Sequence, residues 1–100
     1  MNPTTLNKSG FCIYVDTICQ GAVPVERDNK GNAVVYFNLT EAQRAIAEAT
    51  IERLRQFLEG DREFDDAMTV EEYIVEVNVF PDGSITDEAG NIFSATDLMS

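Results

Sequence analysis

The side chains in this sequence that could perform acid–base chemistry are carboxylates, and four of them form two adjacent pairs, Asp65-Asp66 and Glu71-Glu72. Two carboxylates that share a desolvated site do not ionise together, so one can serve as an acid while the other serves as a base. Consecutive acidic residues in a polar stretch are more often part of a hydrated surface loop. We therefore predict no catalytic residues, and an enzyme that uses carboxylates stays open as an alternative.

Other common catalytic groups are absent from the sequence. The chain has no histidine, which excludes a Ser-His-Asp or Cys-His site, and it has neither a glycine-rich phosphate loop nor a C-x-x-C motif. The two cysteines, Cys12 and Cys19, would point to opposite faces of one regular strand, so we expect them to be reduced and unbridged. Reduced cysteines indicate a cytosolic protein.

Oxygen ligands for a hard cation occur at two places in the sequence. One is the run that contains Asp61, Glu63, Asp65 and Asp66, and the other is the segment from Asp82 to Glu88, which resembles part of a calcium loop. Neither follows the spacing of an EF-hand. We therefore predict neither a metal nor another cofactor.

Charge is distributed very unevenly along the chain, whose formal net charge is −11. Met1 to Leu58 carries six acids and six bases, whereas Glu59 to Ser100 carries twelve acids and a single base, Arg62. Such a negative field repels nucleic acids and anionic membranes and attracts basic proteins. The predicted partner-binding residues are Glu59, Asp61, Glu63, Asp65 and Asp66. One alternative is that these acids serve only to keep the protein in solution. Another is that they imitate a row of phosphates and so inhibit a DNA-binding protein.

Length and hydropathy predict one domain over residues 1–100, with residues 1–10 as a flexible arm. The chain has 100 residues, of which 44% are apolar, enough for one modest core. No apolar run approaches the ~20 residues of a membrane-spanning helix, and the first residues lack the apolar stretch of a signal peptide. The predicted location is the cytoplasm.

The first half of the chain predicts two or three strands followed by a helix. Phe11 to Gln20 is rich in β-branched and aromatic residues, and Pro24 restricts the next extended segment to a sheet edge. Asp28 to Asn32 predicts a turn, with Ala33 to Phe37 as the returning strand. A capping box formed by Thr40 and Gln43 predicts the start of an amphipathic helix, and Gly60 its end.

The second half predicts further strands. Asp61 to Met68 is interpreted as an acidic loop or frayed turn, and Thr69 to Glu72 as a possible short helical turn. Tyr73 to Phe80 alternates strongly, and Ser84 to Thr86 and Ile92-Phe93 supply short strands. The string Asp-x-x-Gly-Asn occurs at Asp28 and again at Asp87, which predicts the same turn twice. The predicted fold class is α+β, a mainly antiparallel sheet of about four to five strands with one long helix on one face, in the order β-β-α-β-β.

Three segments of the chain carry a resemblance to known sequences: Glu41 to Glu48, Ile51 to Asp66 and Glu71 to Val77. They are similar to small uncharacterised bacterial proteins of the kind carried on integron gene cassettes and other mobile elements. The resemblance implies a bacterial, cytosolic setting. It implies no role for any residue.

The sheet face opposite the helix is expected to be too apolar for contact with water. We therefore predict a homodimer through this face, with Tyr14, Ile18, Tyr36, Ile74 and Phe80 as interface residues. Alternatively, the N-terminal ten residues, the Asp61 to Met68 segment or the C-terminal tail could cover the face. The predicted function is a non-catalytic protein-interaction module that binds a basic partner, with a small-ligand-binding or enzymatic domain and a nucleic-acid mimic as alternatives.

Overall fold

The structure, a computed structural model, describes residues 8–95. It is an α+β fold, as the sequence predicted. Its elements are β1 (Lys8–Thr17), β2 (Gly21–Pro24), α1 (Leu39–Leu58), α2 (Phe64–Met68), β3 (Tyr73–Val79), β4 (Ile85–Asp87) and β5 (Ile92–Phe93). The strands form one curled antiparallel sheet in the order β2-β1-β3-β4-β5. Pro24 lies in the edge strand β2, where a residue without an N–H is tolerated.

The register of the two central strands separates two faces of the sheet. Tyr14 of β1 pairs with Tyr73 of β3, and Ile13 pairs with Ile74. Because directly paired residues point to the same side and neighbours along a strand to opposite sides, the sheet has a Tyr14 face and an Ile13 face. The predicted alternation of Tyr73, Val75, Val77 and Val79 along β3 is confirmed, and these four share the Tyr14 face.

The main hydrophobic core lies on the Tyr14 face. Its fully enclosed members come from three strands and from the segment that joins β2 to α1, and they are Cys12, Tyr14, Ala33, Val77 and Ile85. The joining segment runs along the edge of β1, where Tyr36 and Phe11 exchange two backbone hydrogen bonds of 2.7 and 2.8 Å. From there Val35 reaches the Tyr14 face, since a Cβ atom added at Gly10 would lie 2.4 Å from Val35 Cγ1. The Tyr14 face is thus covered by the chain itself.

The helix α1 lies against the Ile13 face, and α2 packs on α1. Ile13 is 5% exposed, and Val15 lines a small cavity together with Arg53 of α1. Arg53 also forms a half-buried ion pair with Glu72, Nη1 to Oε2 3.2 Å, which joins α1 to the residues that precede β3. The long helix therefore covers one face of the sheet, as predicted, whereas the core lies mainly on the other.

The helix α1 begins two residues earlier than the capping-box pattern predicted. Asn38 is the N-cap, and its Oδ1 accepts hydrogen bonds from the backbone N–H groups of Thr40 (2.8 Å) and Glu41 (3.3 Å). Thr40 is already within the helix. The prediction of Thr40 as the cap was wrong because asparagine at residue 38 supplies the same acceptor, and Asn and Thr both favour this position.

The repeated Asp-x-x-Gly-Asn string forms the same turn in both places, which confirms that prediction. Asp28 Oδ1 accepts from the backbone N–H groups of Lys30 and Asn32, and Asp87 Oδ1 accepts from those of Ala89 and Asn91. The glycines have φ of 90° at Gly31 and 89° at Gly90. A left-handed backbone at this point explains why both copies use glycine.

Three boundaries differ from the expectation. The strand β1 begins at Lys8, so the last three residues of the predicted flexible arm belong to the sheet, and residues 1–7 lie outside the described part. Ala33 to Phe37 forms isolated bridges rather than a regular strand, because Val35 turns toward the core while Tyr36 bridges Phe11. Residues 64–68 form a short helix where a loop was predicted, and residues 69–72 are extended.

Candidate functional site

A glycine turn at the end of α1 positions the predicted partner-binding acids. Gly60 has φ of 86°, its N–H donates to Phe57 O at 3.0 Å, and the N–H of Asp61 donates to Gln56 O at 2.8 Å. These two bonds form a Schellman motif, which ends a helix and reverses the chain direction. The prediction of Gly60 as the C-terminal glycine is confirmed, and the turn leads directly into α2.

All five predicted partner-binding acids are exposed, and the structure brings them together at the α1–α2 junction. Two of them have a cation on their own chain, since Glu59 pairs with Arg55 at 3.5 Å and Asp66 pairs with Arg62. The other three form no ion pair within residues 8–95, and they are Asp61, Glu63 and Asp65. Their charges are therefore available to another molecule.

Two apolar side chains are exposed among these acids. Phe64 and Met68 are 53% and 54% exposed, and they lie one turn apart on α2, whose other side buries Ala67 completely. The Phe64 ring packs edge-on against Phe57, with centroids 5.2 Å apart. The sequence analysis missed these two residues, although their spacing of four residues would have revealed one shared helical side. We call Glu63, Phe64, Asp65 and Met68 the acidic–apolar surface.

Comparison of the chain with protein-family models, curated proteins and solved structures found no match. The resemblance to bacterial cassette proteins therefore stays a prediction.

The predicted dimer-interface residues do not share one outward face, which corrects that expectation. Tyr14 is 1% exposed and points into the core, whereas Ile74 lies on the opposite face and is half-buried. Tyr36 and Phe80 are half-buried as well, and Ile18 is fully exposed in the turn between β1 and β2. The Tyr14 face was wrongly predicted to be exposed, because strand register and packing depend on contacts between distant parts of the chain. Within residues 8–95 the core around Tyr14 includes Ala33, Val35 and Phe93. Of the covering segments considered from sequence, residues 1–7 and 96–100 lie outside the described part.

The three tyrosines are each used in a structural hydrogen bond to a carboxylate. Tyr14 donates to Asp87 at 3.1 Å, Tyr36 to Glu26 at 2.9 Å, and Tyr73 to Asp16 at 2.6 Å. Burial, followed by the bond to Glu26, raises the pKa of Tyr36 to about 12. Burial raises the pKa of Tyr14 far more than is usual for a phenol. Phenols held protonated in this way are poor bases at neutral pH.

The carboxylate pairs and the cysteines, which are the candidate catalytic groups, lie in surroundings that do not favour catalysis. In the carboxylate pairs, Asp66 binds Arg62 and Glu72 binds Arg53, while Asp65 and Glu71 are exposed. Neither pair shares the desolvated site that an acid–base pair needs.

Cys12 is buried, and burial raises the pKa of its thiol to about 12, while Cys19 is exposed; both are free. A protonated, enclosed thiol such as Cys12 does not act as a nucleophile.

Potential cation ligands do not converge in the described part of the chain, where no group of three or more Asp, Glu or Cys side chains is placed to hold a metal. Asp82 Oδ1 instead accepts from the N–H and the hydroxyl of Ser84, at 2.9 and 2.6 Å.

Neither of the helices found within residues 8–95 is both long and apolar enough to cross a membrane.

The curl of the sheet brings its two edge strands to one open groove of about 500 Å³. Val23 and Pro24 of β2 and Ile92 and Phe93 of β5 contribute its apolar walls. Arg27 also lines the groove, and its Nη1 is buried without a hydrogen-bond partner among the described residues. Because a guanidinium only donates hydrogen bonds, Arg27 makes this groove a candidate site for a small anion.

Proposed function

We propose that this protein is a non-catalytic interaction module of the bacterial cytoplasm that binds a basic partner protein through its acidic–apolar surface. The partner contact is centred on Glu63, Phe64, Asp65 and Met68, with the acidic turn beside it. The free thiols Cys12 and Cys19 support a reducing compartment.

The exposure of Phe64 and Met68 among unpaired acids carries this proposal. A surface that only keeps a protein in solution needs the acids and gains nothing from an exposed aromatic ring and thioether. Methionine and aromatic side chains are enriched at protein interfaces, where apolar contact supplies affinity and flanking charges supply steering. The complementary partner is a segment that carries apolar residues flanked by lysine or arginine.

The same observation argues against the nucleic-acid mimic. A mimic must present carboxylates in a row, because the protein that it inhibits reads a row of phosphates. Two apolar side chains interrupt the acids of α2, and Glu59 and Asp66 are partly neutralised by arginines. A partner protein with its own apolar residues fits this composition better.

The test uses the tagged full-length protein to retain partners from a bacterial lysate, with the retained proteins identified by mass. We expect a basic protein to be held at low salt and released at high salt, because screening shortens the reach of exposed charges. Asp65→Lys and Met68→Ser should each lose it. Glu88→Lys makes the same charge change at an exposed position in the β4–β5 turn and should retain it.

Three results would contradict the proposal. Equal loss in Asp65→Lys and Glu88→Lys would mean that only net charge matters. Retention by Met68→Ser with loss in Asp65→Lys would favour a purely electrostatic contact such as a mimic. Salt-independent retention would exclude steering by these acids.

The groove favours a second candidate function, the binding of a small molecule that joins a carboxylate to an apolar body. The Arg27 guanidinium would donate hydrogen bonds to the carboxylate, while Val23 and Phe93 would contact the apolar part. Benzoate should then raise the melting temperature of the wild-type protein and leave that of Arg27→Gln unchanged. No rise in the wild type at millimolar benzoate would reject this candidate.

A further inference from the structure

A stripe of apolar side chains on α1 faces away from the rest of the chain. Ile51 and Leu58 are 63% and 80% exposed, Ala47 is exposed, and Leu54 between them is half-buried. The buried residue of α1, Ala42, lies on another side of the helix. The steps between the stripe residues are four, three and four positions, which is the heptad spacing of a coiled-coil seam. We call Ala47, Ile51, Leu54 and Leu58 the α1 seam.

We propose that two copies of this chain associate through their α1 seams, with the helices antiparallel. In this arrangement Ile51 of one copy packs beside Leu54 of the other, and Ala47 packs beside Leu58. Both contacts occur twice, because a two-fold axis makes the interface self-complementary. The seam is about 16 Å long at the rise of an α-helix.

Charge complementarity selects the second copy as the occupant and the antiparallel direction. Antiparallel pairing about the middle of the seam brings Glu48 of each copy beside Arg55 of the other. It also brings Arg44 toward the acidic turn that follows α1 of the other copy and carries Asp61, and neither Arg44 nor Asp61 forms an ion pair within its own residues 8–95. Parallel pairing would instead place Arg44 against Arg44 in one layer and align the two helix dipoles unfavourably.

This surface is separate from the acidic–apolar surface of the proposed function. The seam lies on α1, whereas the proposed partner contact lies on α2. Asp61, in the turn between the two helices, belongs to both contacts, so Ile51→Glu, which leaves that turn unchanged, is the variant that separates self-association from partner binding. The seam also replaces the sheet face as the site of the homodimer, because Tyr14 is enclosed by its own chain.

The test is the mass of the full-length protein in solution by sedimentation equilibrium over a range of concentrations. We expect twice the chain mass of 11.1 kDa at high concentration. Ile51→Glu should reduce it to the mass of one chain. Ile92→Glu is the matched control, since Ile92 is 61% exposed on β5, away from the seam, and this variant should keep the wild-type mass. A monomeric wild type, or a dimeric Ile51→Glu, would overturn the proposal.

The direction of the helices is tested by exchanging charges. Arg44→Glu should weaken the dimer at least several-fold, and Arg44→Glu combined with Asp61→Arg should restore it, because the opposite charges again face each other. Since neither residue has an ion-pair partner on its own chain within residues 8–95, the exchange changes mainly the contact between copies. Absence of restoration, with the helix content unchanged by circular dichroism, would overturn the antiparallel arrangement.

Discussion

Tyr14 donates a hydrogen bond from its hydroxyl to Asp87 Oδ2 at 3.1 Å, across 73 positions of the sequence. The bond joins the central strand β1 to the turn between β4 and β5. Asp87 at the same time holds that turn through its Oδ1, and Tyr14 is 1% exposed. A single carboxylate thus connects a local turn to the core of the sheet.

This relationship predicts that the two equivalent turn residues differ in importance. Asp28→Ala removes turn bonds only and should lower the free energy of unfolding by about 1 kcal/mol. Asp87→Ala removes the same kind of bonds and leaves the buried Tyr14 hydroxyl without its acceptor, so we expect a loss of about 2–4 kcal/mol. Urea denaturation of both variants checks this. Equal losses would show that the Tyr14 bond contributes nothing to stability.

The raised pKa values of the tyrosines predict the behaviour of the protein in alkali. Burial and the bond to Asp87 raise the pKa of Tyr14, burial and the bond to Glu26 raise that of Tyr36 to about 12, and the bond to Asp16 raises that of Tyr73. A raised folded-state pKa stabilises the fold below the unfolded value of about 10, and this stabilisation is lost as the pH rises toward the folded value.

The measurement is the ultraviolet absorbance of tyrosinate during an alkaline titration. The chain has three tyrosines and no tryptophan, so the signal reports these three groups. We expect little tyrosinate near pH 10 and a steep rise at higher pH that coincides with unfolding. Independent titration near pH 10 in the folded protein would contradict the three hydrogen bonds.

The two cysteines should differ in reactivity. Cys19 is exposed in the β1–β2 turn, while Cys12 is fully buried and its pKa is raised to about 12. A thiol reagent should label one cysteine in the native protein and the second only in denaturant. Cys19→Ser should abolish the native labelling, and fast labelling of that variant would place Cys12 at the surface.

The N-cap of α1 predicts a contrast between two neighbouring positions. Asn38→Ala should lower the free energy of unfolding by about 1 kcal/mol, because it removes the acceptor for two backbone N–H groups. Thr40→Ala should change it by less than half of that, since Thr40 is exposed inside the first turn. Thermal denaturation of the two variants distinguishes the observed cap from the one that the Thr40–Gln43 pattern predicts.

Local features of the fold were readable from the sequence, because their causes lie within a few residues. The alternation in β3, the edge position of Pro24, the turns at Asp28 and Asp87 and the end of α1 at Gly60 each depend on backbone preferences or on a period of side chains. The concentration of acids after Leu58 is also a property of the sequence alone.

The choice of buried face depended on contacts that no local pattern contains. Whether Tyr14 is an interface residue or a core residue depends on its register against Tyr73 and on the packing of Ala33 and Val35 in the same core. The exposure of Ile51 and Phe64 was likewise decided by how the helices lie against the sheet. Sequence therefore determined most of the elements and the distribution of charge. The tertiary structure decided which apolar residues stay at the surface, because burial depends on packing between distant segments.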